Sequence, residues 1–331
     1  MISGLTSTKT RFKDEVRSYP NSLFAVFSWE LRRRFVGPSF WIIAFLVFVF
    51  TLTFMWLGQY KACVERYDGS CIALAGTSAY GIMLEMPGVL LLWFAMLLPF
   101  LSADLVTLDL KRRTHEFLMT TPLSKWSYIW GRYLAGLVLC LFLALLMLLG
   151  ILLMGFALRH FLWLGLDGPS DLVGYPDPNV GAIATIWAII VLPTVFLVSG
   201  ISFFFSTLIP RASGLVKAFV IIGWVICFTQ FSPLLAAITR GYLDPSGNAI
   251  SYTFDSMYLR DYFTHVTHTM TLDQRQHVLD LVQQKMPDLT PWIVAHTAYA
   301  VLGLMLVALT ALLFRRFDTT LVLRQTPPKE K

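Results

Sequence analysis

Six apolar stretches limit what this chain can fold into more than any other feature. They lie near Pro38 to Gly58, Met86 to Ala103, Leu134 to Leu158, Gly181 to Ile209, Ala218 to Thr239 and Trp292 to Phe314, and none contains Asp, Glu, Lys or Arg. A helix rises about 1.5 Å per residue, so about 20 apolar residues cross a hydrocarbon core about 30 Å thick. Helices apolar on every side need lipid as their solvent. With 56% of the 331 residues hydrophobic and 14% charged, there is too little polar surface to clothe a water-soluble domain. The first stretch begins too late, and after too many charges, for a cleaved signal peptide, and is expected to be retained. The expected fold class is an all-α integral membrane protein of six transmembrane helices.

Lys and Arg resist translocation, so the loops that carry them mark the cytoplasmic side. If the N-terminus is inside, the inner segments hold 19 of the cations and the outer loops 7. Both termini are therefore expected in the cytoplasm. That divides the chain into residues 1–37 (cytoplasmic N-terminus and interfacial helix), 38–314 (transmembrane domain) and 315–331 (cytoplasmic tail). The net charge of +6 reflects this bias, not the contiguous basic face with interleaved aromatics that would point to nucleic acid.

Cys140 and Cys227 fall within apolar stretches and read as core residues. Cys63 and Cys71 share the first outer loop, where an oxidising compartment would permit a bridge. They are a candidate disulfide whose geometry spacing alone does not fix.

Before the first span, Phe24, Phe27, Leu31 and Phe35 recur at steps of 3, 4 and 4, which sets them on one face of a helix. Arg33 points the opposite way, between Arg32 and Arg34. An aromatic stripe with cationic shoulders suits the membrane interface, with membrane lipid as its partner. It reads either as a generic positive-inside anchor or as an elbow helix belonging to a particular fold. Gly37 supplies its stop and Pro38 the next start.

A second mixed segment, RRTHEFLMTTPLSKWSYIWGRYLAG at 112–136, separates the second and third spans. Thr114 can cap a short helix, Pro122 stops it, and Ser124 caps the third span, with Trp126 and Tyr128 at headgroup level. The result is a hairpin over 105–130 with a short helix across its tip. Phe117, Leu118 and Met119 on that helix need either headgroup cover or a protein groove.

The interfacial helix with Glu30 and Arg32 to Arg34, the first span, and then the hairpin with Thr114, Glu116, Leu118, Thr121, Pro122, Leu123, Ser124 and Gly131 resemble the permease subunits of ABC-2 type transporters. The sharp part of the likeness covers about 25 residues; Arg113 departs from it, standing where a glycine often precedes the threonine. The resemblance implies that Thr114, Glu116, Phe117, Leu118, Thr121 and Pro122 form a coupling helix docked in a groove of an ABC ATPase subunit. It also implies ATP and Mg in that partner, a second permease, identical or related, and a bacterial or archaeal cell membrane.

Independently, no Gly-Lys dipeptide occurs, so no G-x-x-x-x-G-K-[ST] phosphate loop exists in the chain. No cofactor is expected in it, and ATP must be bound elsewhere if it drives the protein. The spans also lack the carboxylate chain that ion-coupled carriers need, with Glu85 at the outer end of the second span the nearest candidate. A remote enzyme alternative pairs Ser202 with His296 as in an intramembrane serine protease. It fails on depth, because Ser202 sits about 30 Å below the outer surface at helical rise and His296 about one turn below it.

The largest outer loop, 240–290, holds a turn at DPSGN (244–248) and a capping box from Thr271 to Gln274 that opens a helix ended by Pro287. This makes a small helical cap. His265, His268 and Met270 there form a weak soft-metal set, with Asp261 and His277 as further ligands at most, and read more plainly as solvated polar residues. The function expected is export of an amphipathic or lipid-like substrate, because the spans carry no charge. The alternative is a mechanotransmitting subunit that acts on an outer partner complex. The sequence names no cargo.

Overall fold

A computed structural model describes residues 22–58, 63–65, 71–73, 76–111, 124–160, 175–239, 242–247, 271–284 and 286–314. Six helical segments in it are long and apolar enough to span a membrane: Pro38–Leu57, Gly88–Thr107, Lys125–His160, Val180–Leu208, Pro210–Thr239 and Thr290–Leu313. All six stretches expected from sequence are among them.

The first helix, α1, covers residues 22–35. The chain turns at Val36 and Gly37, whose amides bond back to Arg32 and Arg34 carbonyls at 3.2 and 3.0 Å, and Pro38 opens α2, Pro38–Gly58. Proline suits a first helical position because its missing N–H would have no partner there. Phe40, Ala44, Val47, Thr51 and Met55 form the buried edge of α2, and Trp41, Phe45 and Leu46 face outward. An exposed apolar face costs nothing when the solvent is hydrocarbon.

Beyond α2 a two-stranded antiparallel hairpin pairs β1, Cys63–Glu65, with β2, Cys71–Ala73. The second span, Gly88–Thr107, lies in a run of helical segments: α3 (Ala79–Glu85), a π-helical turn (Met86–Leu90), α4 (Leu91–Ser102) and α5 (Asp104–Lys111). Ser78 caps α3 by accepting the Gly81 amide at 3.0 Å. The break falls at Gly88, with φ −66° and ψ −118°, just after Pro87, which has no N–H for the ladder.

The third span, α6 (Lys125–His160), begins as expected at Ser124, whose hydroxyl accepts the Ser127 amide at 3.0 Å. Next come α7 (Val180–Leu208), a 3-10 turn (Pro210–Ala212), α8 (Ser213–Ile226), a π-helical turn (Cys227–Phe231) and α9 (Ser232–Thr239). The loop helix α10 (Leu272–Gln284) and the last span α11 (Thr290–Leu313) complete the described chain. The capping box is formed in both directions: Thr271 N–H donates to Gln274 Oε1 at 3.0 Å and Gln274 N–H to Thr271 Oγ1 at 3.4 Å. At the start of α11 the N-cap position is Leu289, and Pro291 stands in the first turn. Asp288 Oδ1 accepts the Thr290 amide at 3.0 Å, and this bonding holds the Asp288 carboxyl below its ordinary range.

Helices α7 and α11 make the closest crossing. A methyl built on Gly303 would fall on the Phe196 carbonyl, and one on Gly200 on the Gly303 carbonyl. Without hydrophobic driving force between helices in lipid, such small-residue contacts let backbones meet and gather dispersion energy. Polar groups within the bundle bond across or along helices: Tyr133 to Ser199 at 3.2 Å, and the Trp187 indole to the Ala144 carbonyl at 3.1 Å.

Candidate coupling site

Residues 112–123, with Thr114, Glu116, Phe117, Leu118, Thr121 and Pro122, lie outside the described residues. What is described is the root of that hairpin, the ends of α4 and α5 on one side and the start of α6 on the other. A set of buried charges fastens both.

Glu30 of α1 is fully buried, and its carboxylate receives three guanidinium groups. Arg132 of α6 pairs with Oε2, Arg34 Nε donates to Oε1 at 2.6 Å, and Arg33 lies 3.6 Å away. The arginines reach further. Arg34 Nη1 donates to the Leu101 carbonyl at 3.0 Å and Arg132 Nη1 to the Leu105 carbonyl at 3.1 Å. Those carbonyls sit where α4 passes into α5. The planar fork of arginine can serve a carboxylate and a carbonyl at once, which a lysine ammonium does less well.

Aromatic faces cover the cations. Arg33 and Arg132 lie 5.1 and 5.3 Å from the Trp29 ring, and Arg132 lies 5.4 Å from Tyr128. Packing reinforces the charges. α1 lies directly on α6, where a methyl on Gly131 would come within 2.9 Å of Val26, and one on Gly136 would overlap Leu105 of α5. Ser22 Oγ donates to Ser127 Oγ at 3.1 Å. On the other flank Lys217 of α8 pairs with Asp104, the first residue of α5, and lies 5.4 Å from the Phe100 ring. Four elements therefore meet at the hairpin root: α1, the α4–α5 junction, α6 and α8.

This arrangement alters the expected interfacial helix. Phe24 is exposed and Phe35 packs against Phe40, Trp41 and Phe142, while Phe27 and Leu31 are half-buried. Arg33 turns back onto Glu30 and Trp29, so it is not simply a headgroup-facing cation opposite the stripe. Glu30 is the residue around which the helix is oriented. Sequence reasoning missed Arg132. Its signal was a cation past Trp126 and Tyr128, on the apolar side of the headgroup markers.

The sequence profile described as ABC-2 family transporter protein matches residues 24–320, which include α1, the hairpin and all six spans. The chain belongs to the ABC-2 transporter family. It is a permease subunit of an ABC transporter, and ATP hydrolysis belongs to a separate ATPase subunit. No curated protein matches the permease.

The other expected sites of this ABC-2 permease fall as follows. His265, His268, Met270 and Asp261 lie outside the described residues, as do the side chains of Cys63, Cys71 and Glu85. The backbone register sets Cys63 opposite Ala73 and Cys71 opposite Glu65, so the two cysteines are diagonal neighbours. Cys140 is buried as the core residue expected, whereas Cys227, expected in the core too, is only partly buried in the π-helical turn after α8. Ser202 donates to the Val198 carbonyl at 2.7 Å and His296 Nδ1 faces the Trp292 carbonyl at 3.0 Å, each within its own helix.

Proposed function

We propose that this permease exports an amphipathic or lipid-like substrate, driven by ATPase subunits that grip the tip of the 105–130 hairpin from the cytoplasm. The observation that carries the reading is the clamp at the hairpin root. Arg34 and Arg132 bond both to Glu30 and to the carbonyls of Leu101 and Leu105, and Lys217 bonds to Asp104. A displacement of the tip therefore reaches α1, the second, third and fifth spans together, as a body and not as a loose loop. In this reading both termini are cytoplasmic, a second permease completes the pathway, and Thr114, Glu116, Phe117, Leu118, Thr121 and Pro122 make the ATPase contact.

An amphipathic cargo fits the spans because their apolar stretches hold no Asp, Glu, Lys or Arg, the charges on the spans being gathered at the hairpin root. The test is reconstitution of permease and ATPase in vesicles that carry a fluorescent single-chain amphiphile in the leaflet facing the ATPase. ATP-dependent transfer to the other leaflet supports the proposal. ATP hydrolysis with no transfer of any amphiphile contradicts the substrate class and favours mechanical action on an outer partner.

A further inference from the structure

Helix α10 lies at the end of the bundle away from the hairpin root, where one side chain fastens it. Among the described side chains of α10, Asp273, Gln274, His277, Asp280, Leu281 and Gln284 are exposed and Gln283 alone is buried. Gln283 Nε2 donates to the Asp177 carbonyl at 2.8 Å and lies 3.3 Å from both the carbonyl and the Oγ1 of Thr77. The Gln283 carbonyl, one of the last-turn carbonyls that a helix leaves unpaired, accepts Asn179 Nδ2 at 3.0 Å. Asn179 in turn caps α7, its Oδ1 accepting the Ala182 amide at 3.1 Å.

The seat that receives Gln283 belongs to three spans. Thr77 is fully buried and directly precedes Ser78, the cap of α3. Asp177 and Asn179 lead into α7. A methyl on Gly155 of α6 would come within 2.9 Å of Thr77 and 3.2 Å of Pro178, so α6 closes tightly on the same point.

The orientation of the Gln283 amide is fixed by its surroundings. The carbonyls of Thr77 and Asp177 only accept, so the nitrogen must face them. Oε1 is then turned to the other side, where it is buried without a hydrogen-bond partner. A bare buried acceptor forgoes the hydration it would have in water. One side chain therefore holds α10 by its donor end and favours release by its acceptor end.

We propose that α10 is a lid over the outer end of the permease, latched by Gln283 in the seat of Thr77 and Asp177 and poised to open. The lid's service as the exit for cargo rests on the export reading above; the latch itself does not. Docked, Gln283 joins α10 to the outer ends of the second and fourth spans. Undocked, both ends of its amide are hydrated. Asn179 keeps its cap on α7 throughout, because that bond uses Oδ1 and the bond to α10 uses Nδ2. Release thus frees the lid without unravelling α7.

Hydrogen–deuterium exchange of the purified permease in lipid vesicles, read by mass spectrometry over 272–284 and 180–208, tests the latch. With 13 residues, α10 is too short to stay helical in water once undocked, so its exchange reports undocking. In the parent, α10 should exchange faster than α7 and slower than a free peptide of the same residues. Gln283→Ala favours the helix but removes the latch, and should speed exchange of α10 by about tenfold or more while leaving α7 unchanged. Gln283→Glu sets a carboxylate oxygen against the two carbonyls and should do the same, whereas Gln284→Ala on the exposed side should change nothing. Parent exchange in α10 as slow as in α7 or as fast as in the free peptide overturns the proposal, and so does parent-like exchange in either Gln283 variant. Equal acceleration in α7 also overturns it, since Gln283 would then support the whole bundle. The measurement needs neither ATPase nor cargo, so its outcome is separate from that of the export reading.

Discussion

Glu30 and Arg132, 102 residues apart in the chain, form an ion pair whose two side chains are 0 and 1% exposed. Neither charge could stay in that place alone. Removing one partner from a buried pair leaves the other desolvated and unpaired, which costs about 3–5 kcal/mol. Glu30→Ala should therefore lower the thermal midpoint sharply, since it strands Arg132 and Arg34 together. Arg132→Met alone should also destabilise. The double variant should be more stable than the two single losses added together, and strict additivity in the cycle would show that the pair is not coupled.

The α7–α11 crossing gives a second expectation. Gly303→Val must push aside the Phe196 backbone, which is not a flexible side-chain end, so it should destabilise by at least about 1–3 kcal/mol or prevent assembly. Gly214→Ala extends into open space on a helix and should be neutral or stabilising by up to about 1 kcal/mol. Thermal unfolding of both variants in detergent compares them directly.

The spans were legible because each is a long run free of charge, a signal that needs no knowledge of tertiary contacts. The Thr271–Gln274 box and the Ser124 cap were legible for the same reason, being local chemistry at fixed offsets. The clamp was not. Glu30 looked like one of several charges on an interfacial helix, and nothing within a helical turn of it indicates Arg132. The segment at 244–248 could be read as a turn, but turn residues do not say against what the turn rests, here Thr194 of α7 and Tyr299 of α11.

Topology is open to a direct check. In a background without Cys63, Cys71, Cys140 and Cys227, a single cysteine at position 248 should react with an impermeant thiol reagent added to intact cells, and one at position 326 only after lysis. The cation bias between loops is the basis for this. Labelling of position 326 from outside would reverse the orientation and remove the ATPase from the hairpin tip.

Cys63 and Cys71 are expected to bridge across the β1–β2 hairpin. Closing so short a loop is worth about 2–3 kcal/mol at most in the chain-entropy account, and a diagonal register leaves room for strain to reduce it. Mass spectrometry of non-reduced peptides from freshly prepared membranes should recover the linked pair. Two free thiols there would exclude the bridge.

The most direct measurement of the coupling account is co-purification of the ATPase with a permease that carries Phe117→Ala and Glu116→Ala together. Phe117 and Leu118 are proposed to fill a groove of the ATPase, and an anchor of that kind is worth about 2 kcal/mol or more. Phe205→Ala is the control, because Phe205 packs inside the membrane part against Phe204 and Phe219 at 5.2 and 5.9 Å. The account predicts that the double variant inserts normally but loses the ATPase and its transport-coupled hydrolysis, while Phe205→Ala keeps the ATPase. Full retention of ATPase and coupled hydrolysis by the double variant would contradict it.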